Sequence, residues 1–210
     1  VRFESLLDVL FPPVCVACDR TGCALCDRCR PRSSAIERSS VEGLPCVALG
    51  PYDGALRRAV LAMKAGRRDV VAALGTLIAD MLVAELRAPA VLVPVPTTRR
   101  RRRARGFDQA TALAGAVARA GGPPSVAALE RGGGAAQHGR SRVERLGLVR
   151  RFIYAGASFP ARSAVVLLDD VVTTGATLTD ARATLQWAGV RVAGAVVVAR
   201  THEGRRIPNA

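Results

Sequence analysis

Two stretches of the chain are apolar almost without interruption, "AVLVPVP" from Ala90 to Pro96 and "SAVVLL" from Ser163 to Leu168. Continuous apolar runs of this length predict strands buried on both faces, as inside a parallel sheet. "VRVAGAVVVA", residues 190–199, predicts a last strand, Cys46 to Gly50 a short early one, and residues 125–130 another. Between them apolar residues recur at helical spacing. Tyr52 and Asp53 open a helix through "GALRRAVLAMKAG", and further helices are predicted over Asp69 to Leu86, Phe107 to Ala120 and Ala176 to Ala188, the last capped by Gly189. Ser5 to Phe11 reads as a short amphipathic helix stopped by Pro12-Pro13, "RGGGAAQHGRS" as loop, and residues 142–151 as a basic helix. Strands alternating with helices predict a doubly wound α/β domain. Charged and turn-forming residues run to about Pro45, so the chain divides into an N-terminal segment 1–45, a domain 46–204 and a tail 205–210.

Composition sharpens this picture in two ways. The formal net charge is +14, and of 31 Lys+Arg only Lys64 is lysine. So basic a protein attracts polyanions, whether nucleic acid or polyphosphate groups. The most apolar region, Val70 to Pro96, is broken by Asp80, Glu85 and Arg87, which excludes a spanning run there. Glu4 and Asp8 interrupt the N-terminal apolar pattern, unlike a signal peptide. The expected location is cytoplasmic, where cysteines serve as metal ligands or stay as thiols more often than they form disulfides.

"CVACDRTGCALCDRC" packs five of the six cysteines into a short segment. Cys15-x2-Cys18 and Cys26-x2-Cys29 each place two thiolates for one metal, and two such pairs complete a tetrahedron around zinc. A segment so short and polar has little core of its own, so metal binding would supply its folding energy. Cys23 also forms a C-x2-C with Cys26; the outer pairing leaves the less strained loop and makes Cys23 the spare. A redox or disordered thiol cluster is the alternative. Cys46 stands alone, as a small buried hydrophobe does.

The densest chemistry lies in "LLDDVVTTGATLTDA", Leu167 to Ala181. Asp169 and Asp170 follow the apolar strand, and a helix opens at about Ala176. The unpaired backbone N–H groups of such a turn lie at the positive end of the helix dipole. Thr173, Thr174 and Thr177 add hydroxyl donors, and Gly175 lets the backbone approach an anion closely. The result is a phosphate cradle. Carboxylates accept hydrogen bonds from sugar hydroxyls, so Asp169 and Asp170 suit a ribose diol while the loop holds its 5′-phosphate. The bland reading, an acidic pair capping a loop whose threonines fill a turn, does not account for the whole order of residues.

Five arginines stand together at 99–103, followed by Arg105. Such a run is ordinarily a solvated face. Its place after the "AVLVPVP" strand puts it at the mouth of the same site, where it would grip pyrophosphate or track single-stranded DNA, and Arg105 is the member assigned to the site. Lys64, retained where every other basic residue is arginine, suits a compact ammonium reaching a phosphate. His138 and His202 have no metal spacing, and scarce aromatics argue against base stacking on DNA.

The strand followed by "DDVVTTGAT" resembles the phosphoribosyl-pyrophosphate (PRPP) motif of type I phosphoribosyltransferases. The chain as a whole is similar to the ComF family, related to competence proteins of DNA uptake. The similarity rests on the cysteine pairs, "YDGALR" with "MKAG" (Tyr52 to Gly66), "VPVP" (Val93 to Pro96), "RGFDQA" (Arg105 to Ala110), Gln137, Glu144-Arg145 with Phe152, and the PRPP loop. The resemblance implies a type I phosphoribosyltransferase-like α/β fold with an N-terminal zinc knuckle. It implies that Asp169 and Asp170 bind ribose hydroxyls and that Thr173, Thr174, Gly175, Ala176 and Thr177 wrap the 5′-phosphate. The turn near Pro96-Thr97 would take the place of the pyrophosphate loop, and Arg99 to Gln109 would border the cover of the site. Magnesium (Mg²⁺) would be held mainly by pyrophosphate and ribose oxygens.

The sequence departs from the family at Asp108, where Asn is usual, at Arg131 to Gln137, which lacks a Thr and a basic residue, and at Gly147, which replaces Asn. These departures fall on the side of the second substrate. Two functions follow as expectations. One is PRPP binding with phosphoribosyl transfer and release of pyrophosphate. The other is non-catalytic handling of single-stranded DNA beside a DNA-uptake helicase or another competence protein, with the PRPP site retained. A purely structural zinc protein would leave the PRPP loop unexplained.

Overall fold

The computed structural model describes residues 12–86, 88–132 and 151–202. Its centre is a five-stranded sheet in the order β1-β2-β7-β6-β3. The apolar runs supply the interior: β3 (Ala90–Pro94), β6 (Ala164–Val172) and β7 (Val192–Arg200). β2 (Leu44–Ala48) pairs parallel with β7, β7 with β6 and β6 with β3, while β1 (Glu37–Val41) closes one edge antiparallel to β2. A two-stranded ribbon, β4 (Leu129–Arg131) with β5 (Phe152–Tyr154), stands apart from this sheet.

Period-two alternation sorts the side chains between two cores. Leu92, Val166, Leu168, Val196 and Val198 face helices α1 (Gly54–Lys64), α2 (Arg68–Glu85) and α4 (Gln109–Arg119). Val93, Val165, Leu167, Ala195 and Val197 face α5 (Ala176–Trp187) and Phe152 of the ribbon. α2 and α4 cross so closely that a Cβ on Gly75 would lie 2.5 Å from Ala116 Cβ. The fold is therefore α/β, a largely parallel sheet flanked by helices, as the alternation of elements predicts. Among the described residues no helix is long and apolar enough to cross a membrane.

Some local details depart from the sequence reading and others add to it. β6 does not stop at Leu168; β7 continues to pair with it through Asp169↔Val197, Val171↔Ala199 and Val172↔Arg200, so both aspartates lie within the strand. The arginine run forms helix α3 (Arg99–Arg105), with Thr98 accepting from the Arg101 N–H and Gly106 ending it at φ 77°. The charged stretch before Pro45 contains β1, and "FIY" at 152–154 is β5. The predicted basic helix and most of the glycine-rich loop, with His138, Gln137 and Glu144-Arg145, lie outside the described residues, as does the helix expected at Ser5 to Phe11.

Candidate functional site

In a parallel sheet the carboxyl ends of neighbouring strands share one edge, and open α/β sheets bind ligands there. At this edge β3 leads into Pro96-Thr97, the N–H of Val95 still bonded to the Leu168 carbonyl, and β6 delivers Asp169 and Asp170. These two carboxylates, consecutive in β6, lie close enough to act on each other directly. Asp170 meets Lys64, the last residue of α1, with Nζ 2.9 Å from Oδ2. The Asp169 charge also acts on Arg131 at the end of the ribbon. Burial, and then the neighbouring Asp170 charge, push the Asp169 carboxyl well above the ordinary aspartate range. Each carboxylate also accepts from the N–H of the following residue, at 2.8 Å for Asp169 and 2.7 Å for Asp170.

Beyond Val172 the chain turns through Thr173, Thr174 and Gly175 into α5. Thr173 and Thr174 are exposed, Gly175 is buried at φ 80°, and Thr177 is half-buried in the first turn. A Cβ on Gly175 would fall 2.2 Å from Val41 Cγ1, so β1 forms a wall behind this loop. The Ala176 N–H reaches Thr174 Oγ1 at 3.4 Å, and the first turn of α5 places further N–H groups at a helix N-terminus, the chemistry an anion requires.

The Pro96–Thr97 turn is held from two sides. Thr97 donates its N–H to Asp108 Oδ2 at 2.8 Å, and the Pro96 carbonyl accepts from Arg131 Nε at 3.0 Å. Asp108 is also the N-cap of α4, accepting from the Thr111 N–H at 3.1 Å. Arg105 stands half-buried in the last turn of α3; among the described residues no carboxylate pairs with it. The structure thus brings Lys64 to Asp170 and leaves Arg105 unlinked to either aspartate. Arg131 carries no distinguishing sequence signal in so arginine-rich a chain.

A second centre lies in the N-terminal segment. The Sγ atoms of Cys15, Cys18, Cys26 and Cys29 all lie within 4.8 Å of one another, with Cys18 and Cys26 at 3.6 Å. Four sulfurs around zinc at 2.3 Å stand about 3.8 Å apart, so the donor set fits a tetrahedral ion. Cys23 is outside this set, its thiol pushed up by burial and then by the charges of Cys26 and Cys15. The four thiols share their protons unequally. Burial opposes ionisation of Cys15, but N–H groups of Cys26, Ala17 and Cys18 override it and bring it to about 6. The thiols of Cys18 and Cys26 hold Cys29 up at about 12. Leu25 and the buried cysteines pack against Ala55, Ala73 and Leu77, and Arg67 donates to the Val14 carbonyl at 2.9 Å. The cluster therefore rests on α1 and α2. Cys46, 1% exposed, belongs to the sheet core instead.

Comparison with known protein families finds no match, and comparison with curated proteins finds none.

Proposed function

We propose that the chain is a PRPP-binding, phosphoribosyltransferase-like protein of the ComF type, with a structural zinc in its Cys15, Cys18, Cys26, Cys29 cluster. The observation that carries this reading is the end of β6, where Asp169-Asp170 turns through Thr173, Thr174 and Gly175 into the N-terminus of α5 at the carboxyl edge of a parallel sheet. In this reading the loop and the first turn of α5, through Thr177, hold the 5′-phosphate, and the two carboxylates accept from the ribose hydroxyls. Lys64 orients Asp170 and faces the diphosphate, and Arg105 borders the opening. Magnesium, bound to diphosphate and ribose oxygens, would neutralise charge on the leaving group; Asp169 and Asp170 are the carboxylates nearest to assist it.

Transfer then needs no protein nucleophile. The acceptor's lone pair forms the new bond at the anomeric carbon while the bond to the diphosphate oxygen breaks and pyrophosphate departs with the electron pair. Positioning and stabilisation of that departing charge are the contributions open to the protein. Calorimetric titration of PRPP with magnesium into the wild type and the Asp169→Ala/Asp170→Ala variant tests the reading. Binding to the wild type alone supports it, and a folded wild type that binds no PRPP rejects it.

One observation favours the second reading, a single-stranded DNA handling protein. Arg99 to Arg103 are all exposed on α3, and none has an ion-pair partner among the described residues. Electrostatic binding of this kind weakens steeply with salt. The double alanine variant would keep such binding while losing PRPP.

A further inference from the structure

Arg131 closes β4, in register with Phe152 of β5. Its guanidinium lies over the Phe152 ring, 4.5 Å from the centroid, and that ring is 0% exposed. Its Nε is spent on the Pro96 carbonyl. A stacked plane and one anchored nitrogen fix the direction of the fork, leaving both Nη nitrogens without a hydrogen-bond partner among the described residues.

Among the described residues this charge has no ion-pair partner. Burial pushes the guanidinium pKa down and Arg151 presses the same way; Asp169 offsets part of this, ahead of the smaller effects of Arg101 and Asp180. Asp180 is already paired with Arg151 at 3.0 Å. Asp169 accepts from its neighbour's N–H, and among the described residues no carboxylate lies within ion-pair distance of Arg131. A half-buried, oriented charge with only partial compensation among the described residues is costly to maintain unless an anion arrives from outside. The end-on face of a guanidinium donates to two oxygens of one carboxylate or phosphate.

We propose that Arg131 anchors an anionic group, a carboxylate or a phosphate, of the ligand that occupies the sheet's carboxyl edge beside Asp169. The inference rests on the phosphoribosyl reading for where the rest of that ligand lies. Two parts of a transfer reaction carry such a group: the diphosphate of the donor and an acidic acceptor. Arg131 ties the ribbon to the turn after β3, so either source meets the same side chain.

The test uses the whole chain, wild type and Arg131→Gln, with Arg131→Lys as a charge-retaining control. Ribose 5-phosphate, inorganic pyrophosphate with magnesium, and benzoate in the presence of ribose 5-phosphate are titrated into each. Arg131→Gln is expected to bind ribose 5-phosphate as the wild type does and to lose about tenfold or more in affinity for one anion, the size of a charge-assisted hydrogen-bond pair. Loss for pyrophosphate assigns the donor, and loss for benzoate alone assigns an acidic acceptor. Arg131→Lys should fall between, since it keeps the charge without the fork. The proposal is overturned if the wild type binds neither anion, or if Arg131→Gln binds both unchanged. It is equally overturned if both variants melt lower and lose ribose 5-phosphate along with the anions, which marks a structural prop. A wild type that ignores ribose 5-phosphate rejects the phosphoribosyl reading, while the pyrophosphate titration still decides Arg131.

Discussion

Asp108 and Arg131 grip the two polar ends of a single peptide group: the Thr97 N–H points to the Asp108 carboxylate and the Pro96 carbonyl to the Arg131 guanidinium. An anion approaching this turn must compete with Asp108 for the Thr97 N–H. Asp108→Ala should cost about 1 kcal/mol, because it also removes the cap of α4. Asp108→Asn keeps an oxygen for the cap and deletes the negative charge. The Asn variant is expected to melt near the wild type and to bind PRPP more tightly; weaker binding would sink this account of the turn.

Asp169 should cost the protein stability whenever it is ionised. Burial and Asp170 raise its folded pKa above the ordinary value of 3.8, so the native state holds the proton more tightly than the unfolded chain. The penalty is absent below that ordinary value, grows as pH rises, and is complete above the raised one. Asp169→Asn should therefore melt higher than the wild type at neutral pH, with the gap narrowing on acidification, while losing ligand affinity. Melting curves across pH decide it, and a variant less stable at pH 7 rejects it.

Lys64→Met leaves Asp170 without its ion pair. Both side chains are mostly but not wholly covered, so the stability loss should stay on the order of 1 kcal/mol or less. The larger effect expected is on PRPP, about tenfold weaker, with Lys64→Arg recovering part of it. Equal PRPP affinity in wild type and Lys64→Met would remove Lys64 from the site.

One zinc per chain is expected by elemental analysis. Cys18→Ser or Cys29→Ser should abolish it and Cys23→Ser should not. Thiolates bind the metal, so protons compete for Cys15, Cys18, Cys26 and Cys29 and the ion should be released on acidification. Because the cluster packs on Ala73 and Leu77 of α2, chelation should lower the melting temperature of the whole chain. Retained metal in Cys18→Ser with loss in Cys23→Ser would reverse the ligand assignment.

Gly175→Ala combines two costs, a left-handed backbone and a clash with Val41. Together they should destabilise by about 1–3 kcal/mol and weaken phosphate binding. Val41→Ala in the same chain relieves only the clash, so a double-mutant cycle should show coupling between positions 41 and 175. Additive effects would mean that β1 does not shape the loop.

The parallel strands and the long helices were legible because their apolar residues are numerous and periodic. β1 was not, since "ERSSV" is a charged edge strand whose one buried residue is Val41. The arginine helix α3 has no apolar period at all, and its existence depends on the Thr98 cap and Gly106. In the candidate site the strand, turn and helix that carry the proposed phosphate loop were legible in residue order, and Lys64 stood out by rarity. That Lys64 ends at Asp170 required the fold, as did the work of Asp108 on a turn eleven residues earlier. Arg131 was hidden by abundance: what singles it out is the ring beneath it and, among the described residues, the absence of an ion-pair carboxylate beside it.

The place of β7 has a consequence for how the chain comes together. It is the last strand of the sheet in sequence and the middle strand in space, flanked by β2 and β6. As the polypeptide emerges during synthesis, the β1–β2 hairpin and the β3–β6 pair have no partner for their facing edges until the segment Val192–Arg200 arrives. Closure of the sheet is then a late, long-range event, slow by its topology and exposed to edge pairing with other chains in the interval. A nascent chain stalled short of Val192 is in this sense two half-sheets awaiting a keystone.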